Sequence, residues 1–335
     1  MAKEYEPQTV MDLTNMVNSS LHLWGLSENA SAKLLCLSEN ATFKATDPQT
    51  DKEIIIRVQR TGYSSKDAIR SEIAWVKALY DENIIDTACP IPLITGDFVA
   101  DATTPSGEKR MMVAFEKLNG TEPNLEQSDL AHWFEVIGQI SAKMHNHAKK
   151  WKKPEWFTRR KWDYEGIVGK NAFWGYHRND ADLTDQEYDL IDDTLSVVKK
   201  IMDGYGITNE NFGVIHSDCR ATNLLVDGEK LNIIDFDDMG YGWYLFDFAA
   251  SLSFMEQSSL APELTKAWIK GYEKVNPLSS YEKSLLPTIS IMRRIELMNW
   301  CNTHSEVPFA SENRLSVTKD TVRLCQMYLN GTYLK

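Results

Sequence analysis

The chain has 335 residues and a formal net charge of −12, which argues against nucleic acid as a partner. No run of about 18 apolar residues is present to span a membrane, and nothing at the start of the chain reads as a signal peptide. Five scattered cysteines, Cys36, Cys89, Cys219, Cys301 and Cys325, form an odd set that points to reduced thiols and a cytoplasmic protein. The length exceeds what one hydrophobic core usually supports and predicts two lobes.

In chain order, Ala32–Thr46 and Glu53–Arg60 carry apolar or alternating residues on either side of the polar turn cluster Asp47–Asp51. Ile69, Ile73, Val76 and Tyr80 recur at three- and four-residue steps, so Asp67–Tyr80 is expected to be an amphipathic helix. Lys109–Phe115 reads as a further strand. Strands, then a helix, then a strand is the order of the nucleotide-binding lobe of a kinase fold. Glu116–Gly120 follows as a natural hinge, which divides the chain into residues 1–118 and 119–335. Beyond it the pattern turns helical. Leu130, Trp133, Phe134, Ile137, Ile140 and Met144 mark one long helix and Tyr188, Ile191, Leu195 and Val198 another. Leu264–Tyr272, Tyr281–Trp300 and Val317–Tyr328 add three more. His145 and His147 point apart at i,i+2 spacing and have no third ligand nearby, so they read as structural. Lys149–Lys161 holds seven basic residues, and Asp180–Asp193 holds seven acidic ones and no basic one. The two runs are either helix ends of opposite sign or, for the acidic run, a recognition surface for ammonium groups.

The densest signal lies between His216 and Asp235, within IHSDCRATNLLVDGEKLNIIDF. Asp218 stands two residues after His216, Asn223 five after Asp218, and Asp235 closes an apolar run. That order suits phosphoryl transfer: one carboxylate takes the acceptor hydroxyl's proton, while an amide oxygen and a second carboxylate hold Mg2+ on the nucleotide phosphates. Mg2+ takes hard oxygen ligands and keeps several waters, so two protein ligands suffice. Two short apolar runs flank Asp227-Gly228, a strong hairpin signal that would bring Asn223 and Asp235 to one edge. No GxGxxG or GxxxxGK[ST] motif occurs, which excludes a simple Rossmann or P-loop reading.

HSDCRATN followed by IIDF resembles the aminoglycoside phosphotransferase and choline kinase superfamily, with its HGDxxxxN loop and [IV]D[FLW] metal aspartate. The resemblance implies an α+β, two-lobed protein-kinase-like fold, with a small β-rich N-terminal lobe and a larger, mainly helical C-terminal lobe. It implies ATP and Mg2+ as cofactors, Asp218 as catalytic base, Asn223 and Asp235 as metal ligands, and His216 as support for the loop. Ser217 departs from the usual Gly. In GYGWYLFDFA, Asp247 resembles the aspartate that tethers the catalytic loop; the alternative is a carboxylate favoured by a helix N-terminus.

A kinase N-lobe needs a cation on its third strand and a helix carboxylate to hold it. In IIIRV the cation is Arg57, not the usual Lys, with Glu72 as partner; the alternative is a surface ion pair worth little. The turn LSENATF resembles the glycine-poor nucleotide loops of antibiotic and homoserine kinases, with Ser38 and Asn40 as phosphate caps, or it is an ordinary hairpin turn. By the same resemblance the Glu116 carbonyl and the Leu118 amide would meet the adenine edge. Candidates for the acceptor pocket are Asp237, Asp238, Trp243 and Tyr244 past the metal aspartate. The helix around Arg293, Glu296, Asn299 and Trp300 is where the superfamily closes that pocket, and Trp162, Asp163 and Trp174 lie in an unusually aromatic connection. Cys219, inside the loop, offers a thiol to reagents.

The expected activity is transfer of the ATP γ-phosphate to a hydroxyl of a small, cationic antibiotic or amino alcohol. The WD…WG and DFDDMGYGW segments look most like antibiotic kinases of the amicoumacin-inactivating type. Alternatives are a homoserine- or choline-type metabolite kinase, a stress-type bacterial protein Ser/Thr kinase, and a nucleotide-binding scaffold without catalysis.

Overall fold

A computed structural model describes residues 6–124, 129–180 and 182–335. The chain forms two compact units. The first runs to Asn119 and is joined by Lys153–Thr158; the second comprises Gly120–Lys152 and Arg159–Lys335.

The first unit opens with helix α1 (Pro7–Ser20), whose first position is a proline, where a missing N–H costs nothing. Strands β1 (Ser31–Leu37), β2 (Ala41–Asp47) and β3 (Lys52–Val58) follow, then helix α2 (Lys66–Asp81), the short strands β4 (Pro90–Ile91) and β5 (Ala100–Thr103), and β6 (Lys109–Glu116). The strands make one antiparallel sheet in the order β1-β2-β3-β6-β4, with β5 also paired to β6. Period-two alternation sorts the residues of β3 between the faces. Ile54, Ile56 and Val58 join Phe43 and Met112 in a core closed by Leu13, Met16 and Val17 of α1. Arg57 alternates to the other face, where Ile69 and Ile73 of α2 pack with Val99 and Val113. Helix α2 starts at Ser65, whose hydroxyl accepts from the Ala68 amide. The sequence reading gave α1 no element.

The second unit contains α3 (Leu130–Lys150), β7 (Lys161–Trp162), α4 (Tyr164–Val168), α5 (Asp185–Tyr205), β8 (Phe212–Ile215), β9 (Leu224–Asp227), β10 (Lys230–Ile233), β11 (Gly240–Trp243), α6 (Phe246–Ser251), α7 (Ala261–Glu273), α8 (Ser280–Thr303) and α9 (Pro308–Leu329). Strands β9 and β10 form the expected hairpin, with Gly228 at φ +62. A small sheet in the order β7-β11-β8 stands beside it. Helix α8 is buried on every side from Thr288 to Cys301, so it shows no amphipathic stripe. No helix among the described residues is long and apolar enough to cross a membrane.

The acidic run leads into a helix start, and of the basic run only Lys149 and Lys150 lie on a helix end. His147, Lys149 and Lys150 lie in the last turn of α3, where cations are favoured. The acidic run starts α5, through a capping box between Thr184 and Glu187. Asp192 pairs with His177 and Arg178, and Asp182 pairs with Arg314. These contacts favour the helix-end alternative at Asp182 and Asp192.

Helices α3 and α7 meet at two glycines. A Cβ on Gly138 would overlap the Trp268 carbonyl oxygen, and one on Gly271 would overlap the Glu135 carbonyl oxygen. Because backbone, not a flexible side chain, stands in the way, the helices would have to separate. Gly271→Ala is expected to lower unfolding stability by about 1–3 kcal/mol, read from the midpoint of a urea titration; an unchanged midpoint would show that the crossing can relax.

Candidate active site

Strand β8 delivers the chain to His216, and the backbone then turns through Ser217 at φ +67, a left-handed conformation that a residue with a Cβ rarely adopts. Asp247 holds this turn. Its Oδ1 accepts from the Ser217 amide at 2.7 Å, and its Oδ2 lies 3.3 Å from the His216 amide and 2.9 Å from His145 Nε2. The other nitrogen of His145 meets the Tyr272 hydroxyl at 3.0 Å, which makes His145 structural. The Ser217 hydroxyl donates to the Asp238 carbonyl at 2.6 Å. Asp247 therefore ties down the loop, beyond any effect of its place in the first turn of α6. His216 is fully buried, and burial lowers its pKa toward the neutral ring. Its Nδ1 accepts from the Asp218 amide and its Nε2 donates to the Ile234 carbonyl, each at 3.2 Å. That imidazole fixes the loop against the hairpin.

Asp218 projects from the far side of the turn. Its Oδ1 accepts from Arg293 Nη2 at 2.8 Å, and its Oδ2 accepts from Asn223 Nδ2 at 2.7 Å and Arg220 Nε at 3.2 Å. The Asn223 amide nitrogen also donates to the Asp218 carbonyl at 2.9 Å, so its side-chain oxygen is the part left to face a ligand. Asn223 lies at the base of the hairpin, where its carbonyl accepts from the Ile234 amide at 3.0 Å. Asp235 comes next, exposed and at φ +60. The hairpin thus brings Asn223 and Asp235 to one edge, and an amide oxygen with a carboxylate is the donor set that Mg2+ accepts.

On α8, Arg293, expected as part of the helix that closes the acceptor pocket, is a buried cation on Asp218, on the carboxylate oxygen opposite Arg220. It is 1% exposed and also reaches Glu296 Oε2 at 3.0 Å and Ser253 Oγ at 3.2 Å. The Trp174 and Phe246 rings lie 4.9 and 5.6 Å from its guanidinium carbon. Burial pushes the Glu296 carboxyl up to about 8, with Arg293 pulling the other way.

The other sequence candidates have structural partners, and the Asp238 carbonyl lies against the loop itself. Asp238 is buried, with Arg160 at 3.5 Å from its carboxylate and Trp162 Nε1 at 2.7 Å from its carbonyl. Asp237 is buried, and its carbonyl accepts from Arg159. Trp243 is packed edge-on to Phe212 and donates its indole N–H to the Gly206 carbonyl at 2.9 Å, contacts that place it in the core apart from Asp218. Trp300 stacks on His304. Cys219 is fully buried and its thiol is raised well above the ordinary range, so the reagent-accessible thiol expected in the loop is absent.

In the first unit, Arg57 and Glu72 form a buried pair, with one guanidinium nitrogen 2.8 and 2.6 Å from the two carboxylate oxygens. Burial rules out the surface-pair alternative. With its amide oriented to satisfy its neighbours, Gln59 accepts from Arg57 Nε and Nη2 at 2.9 Å each. Ser38 and Asn40 occupy the tight β1–β2 turn, where the Ser38 amide donates to the Asn40 carbonyl at 3.0 Å and Asn40 Oδ1 caps the Arg60 amide at 3.1 Å. Glu116 ends β6, its amide bonded to the Cys89 carbonyl at 2.9 Å, and Leu118 lies in the irregular segment that follows.

The family model for the phosphotransferase enzyme family matches residues 37–278. The chain belongs to this family. A solved structure described as a microcompartment-associated aminopropanol kinase is 31% identical, spans 95% of this chain and 98% of its own, and superposes with a TM-score of 0.86. The amicoumacin kinase of Bacillus subtilis (strain 168) is 24% identical over 287 residues, 81% of this chain and 80% of that protein. A structure of an amicoumacin kinase in complex with AMP-PNP, Ca2+ and Ami is 18% identical over all of this chain and 98% of its own, with a TM-score of 0.73. The fold is protein-kinase-like, and the chain is a small-molecule phosphotransferase.

Removing the Asp247 carboxylate would leave His145 and two loop amides without their buried acceptor. Asp247→Ala is expected to lose about 3–5 kcal/mol of stability, measured by denaturant unfolding. A loss below about 1 kcal/mol would show that the turn holds itself.

Proposed function

We propose that the chain transfers the γ-phosphoryl group of ATP to the hydroxyl of a small amine-bearing alcohol, with Asp218 as the base. The observation that carries this reading is the Asp218 constellation: a carboxylate fixed by Arg293 and Asn223, on a loop whose geometry Asp247 and His216 impose. Oδ1 has one hydrogen bond and two lone pairs, which leaves capacity to take the acceptor's proton. Fixing the carboxylate removes reorganisation at the moment of transfer.

Asn223 and Asp235 would hold Mg2+, which when bound neutralises charge on the nucleotide phosphates. Arg57, oriented by Glu72 and Gln59, is the cation assigned to those phosphates, and the Ser38–Asn40 turn supplies amides and side chains suited to capping them. The Glu116 carbonyl and Leu118 amide are assigned to the adenine edge. As the acceptor hydroxyl approaches the γ-phosphorus, its proton passes to Asp218, the oxygen–phosphorus bond forms and ADP leaves.

An amino alcohol is favoured over an antibiotic. The aminopropanol kinase shares more identity with this chain, over nearly its whole length, than the amicoumacin kinases do. The antibiotic reading remains the second one, supported by that weaker likeness.

Three measurements test the assignment. Asp218→Asn should lower kcat by about a thousandfold or more while Kd for ATP stays within a few-fold; transfer that survives would remove Asp218 as base. Arg57→Ala should raise KM for ATP by about 10-fold or more, and an unchanged KM would leave Arg57 a structural residue of the sheet. Chelation of divalent metal should abolish transfer, with recovery on adding Mg2+.

A further inference from the structure

The chain after Asp235 makes a turn, Phe236–Met239, closed by the Met239 amide on the Phe236 carbonyl at 3.0 Å. The carbonyls of Asp237, Asp238 and Met239 all receive side-chain donors from the segment Arg159–Trp162. Arg159 donates through Nη2 to the Asp237 carbonyl and through Nε to the Met239 carbonyl at 2.6 Å. Trp162 Nε1 meets the Asp238 carbonyl at 2.7 Å, where the Ser217 hydroxyl joins it at 2.6 Å. Both Arg159 and Trp162 are buried. The segment runs close to the turn: the Tyr241 amide donates to the Arg160 carbonyl at 2.9 Å, and a Cβ on Gly240 would meet that same oxygen at 2.6 Å. It continues as β7, paired with β11. On the other side of Asp235, the Ile234 amide is held by the Asn223 carbonyl at 3.0 Å and the Ile234 carbonyl by His216 at 3.2 Å. Asp235 thus stands between two anchored stretches, itself exposed and at φ +60. A residue with a Cβ keeps that conformation only where its surroundings impose it.

We propose that Arg159 is a positioning residue for the metal: by gripping the Asp237 and Met239 carbonyls it locks the turn, and so fixes the direction in which the Asp235 carboxylate leaves the backbone. Burying a guanidinium carries a desolvation cost that an apolar residue filling the same space would avoid. What the guanidinium adds is a planar fork, which fixes two carbonyls two residues apart in one plane. Arg159 bonds the backbone of the turn and acts on the metal through Asp235. Groups that orient a metal ligand govern how well that ligand competes with water for the ion. The inference rests on the assignment of Asp235 as a metal ligand.

The test measures Kd for AMP-PNP by calorimetry, in Mg2+ and in EDTA, for the native enzyme, Arg159→Met, Trp162→Phe, Asp235→Ala and Leu324→Ala. Leu324 is buried on α9, which packs on α5 and α8, so its truncation controls for a general loss of stability. Mg2+ is expected to tighten AMP-PNP binding to the native enzyme. In Arg159→Met that tightening should shrink by roughly 10- to 100-fold, toward the value for Asp235→Ala. Kd in EDTA should stay within a few-fold, and Leu324→Ala should keep the native response to Mg2+. In turnover, the Mg2+ concentration for half-maximal rate should rise in Arg159→Met, and saturating Mg2+ should recover most of kcat. A folded Arg159→Met with the native response would overturn the proposal, as would an equal loss in Leu324→Ala. If Arg159→Met does not fold, Trp162→Phe decides, since it keeps a ring and deletes the indole N–H on the Asp238 carbonyl. There a weakened response supports the proposal and an unchanged one overturns it. An unchanged response in Asp235→Ala would instead remove the metal reading, and the inference with it.

Discussion

The second unit depends on one buried carboxylate. A non-glycine residue in the left-handed region costs of order 1–3 kcal/mol and persists only where its surroundings over-determine it. Ser217 is over-determined: its amide and the one before it are bound by Asp247, and its hydroxyl is bound by the Asp238 carbonyl. The chain can then reverse between His216 and Asp218, so that His216 faces the hairpin and Asp218 faces α8. Asp247 in turn meets His145 on α3, which meets Tyr272 on α7. The close approach of α3 and α7 at Gly138 and Gly271 is thus coupled to the position of Asp218 through a continuous series of hydrogen bonds.

Helix α8 is the second organising element. It is enclosed on all sides, yet contains Arg293, Arg294, Glu296 and Asn299. Arg294 bonds Glu256 at 3.0 Å, Thr321 at 3.0 Å and the Val317 carbonyl at 3.2 Å, which fastens α8 to α9. Arg293, one residue earlier, turns to Asp218. Adjacent arginines on a helix point in different directions, so one serves the packing and the other the site. Buried ion pairs contribute little net stability against apolar packing. Their value here is orientation: a guanidinium with a fixed fork holds two carboxylates in register.

Much of this was readable in the sequence where the chemistry is local. The His216–Asp235 stretch states its spacing directly, and a two-residue turn forces its ends together. Arg57 and Glu72 were legible because period two on a strand and period 3.6 on a helix place both on facing surfaces. Helix α1 was not legible, since its apolar stripe has meaning only against the sheet it covers. Arg293 was placed in a helix without its partner, because an enclosed helix carries no polar face to reveal which charge turns inward; RRIE within an otherwise apolar stretch was the available signal. Trp243 and the acidic run before α5 misled for a related reason. Aromatic and acidic residues suit a cation site, but they also suit a core edge and a helix start, and only three-dimensional neighbours decide between them.

The most direct measurement is phosphorus NMR of the native enzyme incubated with Mg·ATP and aminopropanol. A new phosphomonoester resonance, growing in step with ADP and absent when the alcohol is omitted, is the result expected of a γ-phosphoryl transfer to the hydroxyl. Unchanged ATP, or ADP accompanied only by inorganic phosphate, would contradict it.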